Sequence, residues 1–193
     1  MDNIYFKYQN KLNPQKGFLL ISEPYLPDPN FQRTVVLLCD HNDDGTFGFI
    51  LNKSAKIQLK ELIDIDIDFN PEVFIGGPVQ RDTLHFLHKS KEFNDGVEIK
   101  KDLYWGGDFE HLITMAQTNQ IRIEDFRFFI GYSGWGIEQL DQEINENSWI
   151  VTRGLHGDTL LNTDAEYLWE EILKSMGGKY EMFSKYPLDP RLN

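Results

Sequence analysis

The chain has 193 residues, is 40% hydrophobic and 13% aromatic, and carries a net charge of −12 at pH 7. That composition fits one folded domain with a sizeable core and excludes a disordered chain. The acidic excess argues against binding to phosphate backbones or anionic membranes, since like charge repels both unless basic residues are segregated onto one face. Lys89, Lys91, Lys100 and Lys101 are the densest basic group, and Glu92, Asp95, Glu98 and Asp102 offset them. Apolar runs such as Val35 to Cys39 are far too short to cross a bilayer, and the polar opening lacks the apolar segment of a signal peptide. The single cysteine, Cys39, excludes an internal disulfide and fits a reducing compartment, so a cytoplasmic protein is expected.

Residues 1–16 read as an N-terminal extension and residues 17–193 as one domain. Phe18 to Ser22 is a strand. Pro24, Pro27 and Pro29 make the next stretch a rigid extended loop. Thr34 to Asp40 is a β-branched and aliphatic run, hence a buried strand. The turn at Asn42-Asp43-Asp44-Gly45 joins it to a partner over Phe47 to Leu51, because Asp-Gly tolerates positive φ. A short helix spans Gln58 to Ile63. Val73 to Ile75, Thr83 to His88, Val97 to Ile99 and Leu103 to Trp105 are extended, with a turn at Asn94-Asp95-Gly96. Asp108 caps a helix to about Thr118, with Phe109, Leu112, Ile113 and Ala116 on one face. Phe126 to Tyr132 is a strongly apolar strand, Ile137 to Glu146 a helix, and Ser148 to Arg153 extended. The box Thr163-Asp164-Ala165-Glu166 opens a helix that Gly177 ends. Hairpins come first and helices later, so the class is α+β, with a mixed or antiparallel sheet and helices packed outside it.

Three glycine- and aromatic-rich segments stand out: Gly76-Gly77-Pro78-Val79, Tyr104-Trp105-Gly106-Gly107-Asp108-Phe109 and Gly131-Tyr132-Ser133-Gly134-Trp135-Gly136. Such glycines allow backbone angles or approaches that a Cβ forbids, so strand ends converging on a cleft are one reading and tight barrel corners the other. The usual catalytic patterns remain incomplete. Gly131-Tyr132-Ser133-Gly134 has Trp135 where a nucleophile elbow needs glycine. Gly134 and Gly136 start a dinucleotide loop that Gln139 breaks. Asp64-Ile65-Asp66-Ile67-Asp68 lacks the glycine and glutamate of a calcium loop. His85 and His88 face opposite sides of a strand, and His111 and His156 lack a ligand partner. Cys39 and His41 share a strand face, which allows a thiolate pair, although a cysteine closing an aliphatic strand fills core. No metal-ligand set or cofactor motif is completed.

Arg33 and Asn52 stand where loops meet the paired strands, both at the end away from the Asp44-Gly45 turn. Arg33 is suited to forking onto a carboxylate or phosphate, or else to a local bridge with Asp28 or Glu23. Gln139 and Glu143 are one helical turn apart and face one region.

Taken in order, these residues resemble the AlgH/YqgE family. Gly17 to Ser22, Pro24, Asp28-Pro29, Phe31, Arg33-Thr34-Val35, His41-Asn42, Gly45, Gly48 and Asn52-Lys53 match its opening. Gly76 to Val79 with Leu87-His88 match its middle. Gly131 to Gly136 with Gln139-Leu140 and Glu143-Ile144 match its signature, and Trp169, Pro187 and Asp189-Pro190 its end. The likeness runs over roughly residues 17 to 192. It implies a compact α+β domain with a small closed β-barrel flanked by helices, in a cytosolic bacterial protein of a family labelled as transcriptional regulators. It carries over no catalytic residue. Ser133 stands where members often have alanine, and Tyr104 to Asp108 differs from many relatives.

The expected function is therefore regulatory, exerted indirectly through a protein partner or a small polar ligand rather than by direct DNA binding. The alternative is a small-molecule sensor or enzyme with a glycine-lined cleft. Its residues would be Arg33, Asn52, Gly76, Gly77, Trp105, Gly134, Trp135 and Gln139, with the tryptophans stacking on the ligand.

Overall fold

The computed structural model describes residues 10, 12–65, 67–93, 95–154 and 157–188. The first half is mostly strand: β1 (Leu19–Ser22), β2 (Val35–Asn42), β3 (Gly45–Ile50), β4 (Ser54–Gln58), β5 (Glu72–Ile75), β6 (Val79–His88), β7 (Val97–Lys100) and β8 (Leu103–Trp105). Helix α1 (Phe109–Gln117), β9 (Phe126–Trp135), α2 (Gln139–Asn145) and β10 (Trp149–Thr152) follow. The chain then turns helical, with α3 (Gly157–Asn162), α4 (Ala165–Met176) and α5 (Gly178–Ser184).

The sheet runs in the order β10-β1-β2-β3-β9-β6-β8-β7, with β4 joined to it through β5. Most pairings are antiparallel, and β5 runs parallel to β9. The expected closed barrel is corrected here: β10 and β7 stand at opposite ends of this path and do not pair with each other. The sheet branches instead of closing. Along one edge β9 pairs with β6, and along the other it pairs first with β5 at Phe128–Ile130 and then with β3 at Ser133–Trp135.

Both faces of the sheet are covered, which explains the unbroken apolar runs in β1 and β2. Leu19, Ile21, Val35, Leu37 and Phe49 pack beneath α4 and α5 through Leu168, Trp169, Ile172 and Phe183. Leu20, Val36, Leu38 and Ile50 face the other way, against Trp135, Leu140, Trp149 and Val151. A third cluster joins Leu112, Ile113, Met115 and Ala116 of α1 to Val73, Phe86, Phe126 and Phe128. As expected, Asp108 caps α1, accepting from the amides of Glu110 (2.9 Å) and His111 (3.1 Å). The α4 cap is Asp164 rather than Thr163; its carboxylate accepts from the Glu166 amide at 3.0 Å. Asn10 covers the outer edge of β10, bonding to the Trp149 carbonyl and the Val151 amide.

Strand β8 lies between β6 and β7, so these two do not pair, and Asn94 of the expected turn lies outside the described residues. That region is organised by His88, which is fully buried between the Tyr104 and Phe126 rings. Its Nε2 lies 2.7 Å from the Asp95 carbonyl, and burial pulls its pKa below the ordinary histidine value. Arg127 is also buried, with Nη1 donating to the Leu51 carbonyl and Nη2 to that of Leu161. Its guanidinium sits 4.7 Å over the Phe74 ring, and desolvation brings its pKa down to about 10.

The branch point depends on close backbone approach. A Cβ on Gly76 would overlap the Gly131 carbonyl oxygen, and one on Gly77 the Tyr132 peptide. Gly134 differs: a Cβ there would meet only the Tyr132 ring edge at 3.3 Å and a Val79 methyl at 4.0 Å. Gly76→Ala is therefore expected to lower unfolding free energy by about 1–3 kcal/mol, as overpacking does. Gly134→Ala should stay within about 0.5 kcal/mol of the parent, as a surface change does. Urea titration of the two variants checks the contrast, and equal losses would contradict it.

Candidate functional site

The β2–β3 hairpin ends at Asn42 and Gly45, which face each other in register. Asn42 stiffens the turn, its Oδ1 accepting from the Asp44 amide at 2.8 Å. Side chains alternate along a strand, so Asp40 and His41 leave the hairpin on different faces. Each face carries a concavity. One, of about 470 Å³, is lined by Asp40, Asp44, Phe47, Val79, Tyr132 and Gly134, together with hairpin backbone and Trp135. The other, of about 430 Å³, is lined by His41, Asp43, Ile137, Glu138, Leu140 and Asp141 with neighbouring hairpin residues. Among the described residues, neither lining contains a lysine or arginine.

The first concavity has an aromatic wall. The Phe47 ring lies 4.8 Å from Trp105 and 6.2 Å from Tyr132, both at steep angles. His85 joins them, 6.1 Å from Tyr132 and 6.4 Å from Trp105. These four rings are only half-buried. Beyond Trp105 opens a third, more apolar concavity of about 360 Å³, lined by Leu84, His85, Phe86, Trp105, Gly106, Gly107 and Phe109. Thr83 Oγ1 lies 2.9 Å from His85 Nε2, and burial lowers the His85 pKa.

The structure separates the residues singled out in the sequence. Gly134 and Trp135 line the first concavity, and Trp105 lines the third. Gly76 and Gly77 lie in the branch point beneath them. Arg33 and Asn52 do lie at the far end of the β2–β3 pair, where Asn52 and Arg33 Nη2 bond the chain's own backbone while the buried Arg33 Nε has no hydrogen-bond partner among the described residues. Asn52 accepts from the Val35 amide and donates to the Arg33 carbonyl, both at 2.8 Å. Arg33 donates through Nη2 to the Tyr186 carbonyl, and its guanidinium sits 4.9 Å over the Trp169 ring. Desolvation lowers its pKa, and the nearby Glu170 opposes that shift. Among the described residues it forms no ion pair with Asp28 or Glu23.

Gln139 shares a hub with Glu143. Its Nε2 donates to Glu143 Oε1 at 3.0 Å, and its Oε1 accepts from the Gly136 amide at 3.0 Å. Glu143 Oε2 accepts from both Trp135 Nε1 (2.8 Å) and Trp149 Nε1 (2.7 Å). The sequence placed Gln139 and Glu143 together but held no signal that one carboxylate serves two indoles from different strands.

The nucleophile candidates are spent structurally. A bulge between Leu38 and Asp40 breaks the shared face of Cys39 and His41. Cys39 enters the core, where burial pushes its thiol pKa far up, and a buried apolar thiol is inert. His41 Nδ1 lies 2.7 Å from Thr46 Oγ1. Ser133 is fully buried and donates to the Gly76 carbonyl at 3.0 Å. His85 and His88 occupy one strand as expected, and no cluster of three metal-ligating side chains occurs among the described residues. Asp66 and His156 lie outside the described residues.

An α+β domain with a branched mixed sheet and an acidic, aromatic hairpin end is thus defined. Residues 19–181 match the AlgH-like family, and the chain belongs to it. It is 48% identical over 180 residues to a UPF0301 protein of Cytophaga hutchinsonii, covering 92% of this chain and 98% of that one. It is 39% identical over 196 residues to a UPF0301 protein of Bacteroides thetaiotaomicron, covering 100% and 99%. The solution structure of the AlgH protein from Pseudomonas aeruginosa shares the fold, with a TM-score of 0.71 at 23% identity over 93% of this chain and 98% of that one. A crystal structure of a Corynebacterium diphtheriae protein does so with a TM-score of 0.74 at 19% identity over 92% and 95%.

Removing Glu143 leaves two indole N–H groups without their acceptor. Glu143→Ala is expected to cost about 1–3 kcal/mol for each buried donor so orphaned. Glu143→Gln, which keeps a carbonyl acceptor, should lose less. Chemical denaturation followed by tryptophan fluorescence checks this, and a wild-type midpoint for Glu143→Ala would contradict the hub.

Proposed function

We propose that this protein is a cytoplasmic regulatory binding module that acts through a protein partner rather than by touching nucleic acid. The observation that carries the reading is the hairpin end. Two concavities flank it, bounded by Asp40, Asp43, Asp44, Glu138 and Asp141 and, among the described residues, by no lysine or arginine. Such a surface favours a cationic partner and disfavours a phosphate backbone. The net charge of −12 acts in the same direction over longer range.

Supporting this, the side chains that would serve catalysis have other work. Cys39 fills core, Ser133 bonds the branch point, and Arg33 and Asn52 bond backbone groups. A single buried thiol suits a reducing cytoplasm. No helix among the described residues is long and apolar enough to cross a membrane.

Fluorescence anisotropy with a labelled duplex at low salt tests the indirect route. No saturable binding is expected. Tight binding that weakens steeply with added salt would overturn the proposal, because that slope counts phosphates neutralised.

A further inference from the structure

The aromatic concavity beside the hairpin has a floor that the fold does not require. Gly134 is exposed and sits in the middle of the β3–β9 pairing, opposite Phe47. Unlike Gly76 and Gly77, it meets no backbone atom that a Cβ would strike. The absent side chain leaves Gly134 on the floor of the concavity, beside the Tyr132 ring edge and bordered by Phe47 and Val79, the two rings touching edge to face at 6.2 Å. Asp40 pairs with Phe47 across β2 and β3, so Asp40, Phe47 and Gly134 form one cross-strand row. Tyr132 lies two residues along β9 from Gly134 and thus on the same face.

We propose that this concavity receives an arginine side chain from an extended segment of the partner protein. This deepens the reading that the protein works through a partner and rests on it. A planar guanidinium is the group that satisfies both parts of the site: it stacks on aromatic faces and forks onto a carboxylate. Phe47 and Tyr132 supply the rings, half-exposed and already held by Trp105 and His85. Asp40 and Asp44 supply the charge at the rim. Asp40 bonds the His41 amide at 3.0 Å and the Asn42 side chain at 2.9 Å, one bond to each oxygen. Each carboxylate oxygen therefore keeps an acceptor site for the incoming group. Among the described residues no lysine or arginine lines the concavity to compete for it.

The test is an NMR titration of the full chain with a capped peptide of alternating glycine, alanine and arginine. A peptide with citrulline in place of arginine is the neutral control, and argininamide is the free-guanidinium control. Saturable shifts are expected at Phe47, Tyr132 and Gly134. Binding should weaken about tenfold with citrulline, as loss of a cation–π and ionic contact does. It should weaken about as much in Gly134→Leu, which builds a side chain into the concavity, and in the double variant Asp40→Asn, Asp44→Asn, which removes the charge. The double variant swaps half-buried Asp40 and exposed Asp44 for isosteric amides at the hairpin end, so it reads the site even if Gly134→Leu fails to fold.

Equal binding of the citrulline peptide, wild-type binding by the double variant, or shifts confined to other surfaces would overturn the arginine site. In those cases the partner reading still stands. Argininamide binding as tightly as the peptide would overturn docking and assign the site to a free metabolite. Saturable duplex binding in the anisotropy experiment would instead sink the partner reading itself.

Discussion

The Gly76 peptide is the knot that ties the molecule together. Its amide donates to the Ile130 carbonyl at 3.0 Å, and its carbonyl accepts from the Ile50 amide at 2.8 Å and from Ser133 Oγ at 3.0 Å. One residue thus holds β3 and β9 where β5 ends. Without it β9 cannot hand its edge from β5 to β3, and the two halves of the sheet lose their common strand. Buried backbone groups must be paired, so this convergence is possible only where side chains do not keep the strands apart.

The hairpin end follows from that arrangement. Because β5 stops at the branch, the later part of β9 pairs with β3, bringing Tyr132 and Gly134 beside Phe47 and Asp40. The rings are then fixed by neighbours from β6 and β8, namely His85 and Trp105. Behind the hairpin, Glu143 holds Trp135 and Trp149 rigid from α2. The concave surface at the hairpin end is therefore built on sheet rather than on loop, an arrangement that lowers the ordering cost of any binding there.

Much of the fold was legible because its local signals agree. The aliphatic run of β2, the Asp-Gly turn, the Asp108 cap and the apolar start of β9 each occupy the expected element. Global pairing was not legible. The placement of β8 between β6 and β7 depends on contacts distant in sequence, and the β-bulge at Cys39 turns on one extra residue that leaves no mark in composition. Helices α3 and α5 are short and were missed for want of a periodic apolar face. The site was legible only in part. Gly76 and Gly134 look alike in the sequence, yet one is required by backbone contact and the other meets only the Tyr132 and Val79 side chains. Arg33 and Asn52 were correctly placed at one end of the hairpin, but nothing local reveals that Tyr186 and Trp169 return there to meet Arg33.

The central claim is that the branch at Gly76 holds the two halves of the sheet as one unit. Native-state amide hydrogen exchange of Ile50 and Gly76 across a denaturant series measures this most directly. The account predicts that both amides exchange only through global unfolding, with the same opening free energy as β1 and β2. Exchange of Gly76 and Ile50 through a low-energy local opening, while β1 and β2 stay protected, would contradict it.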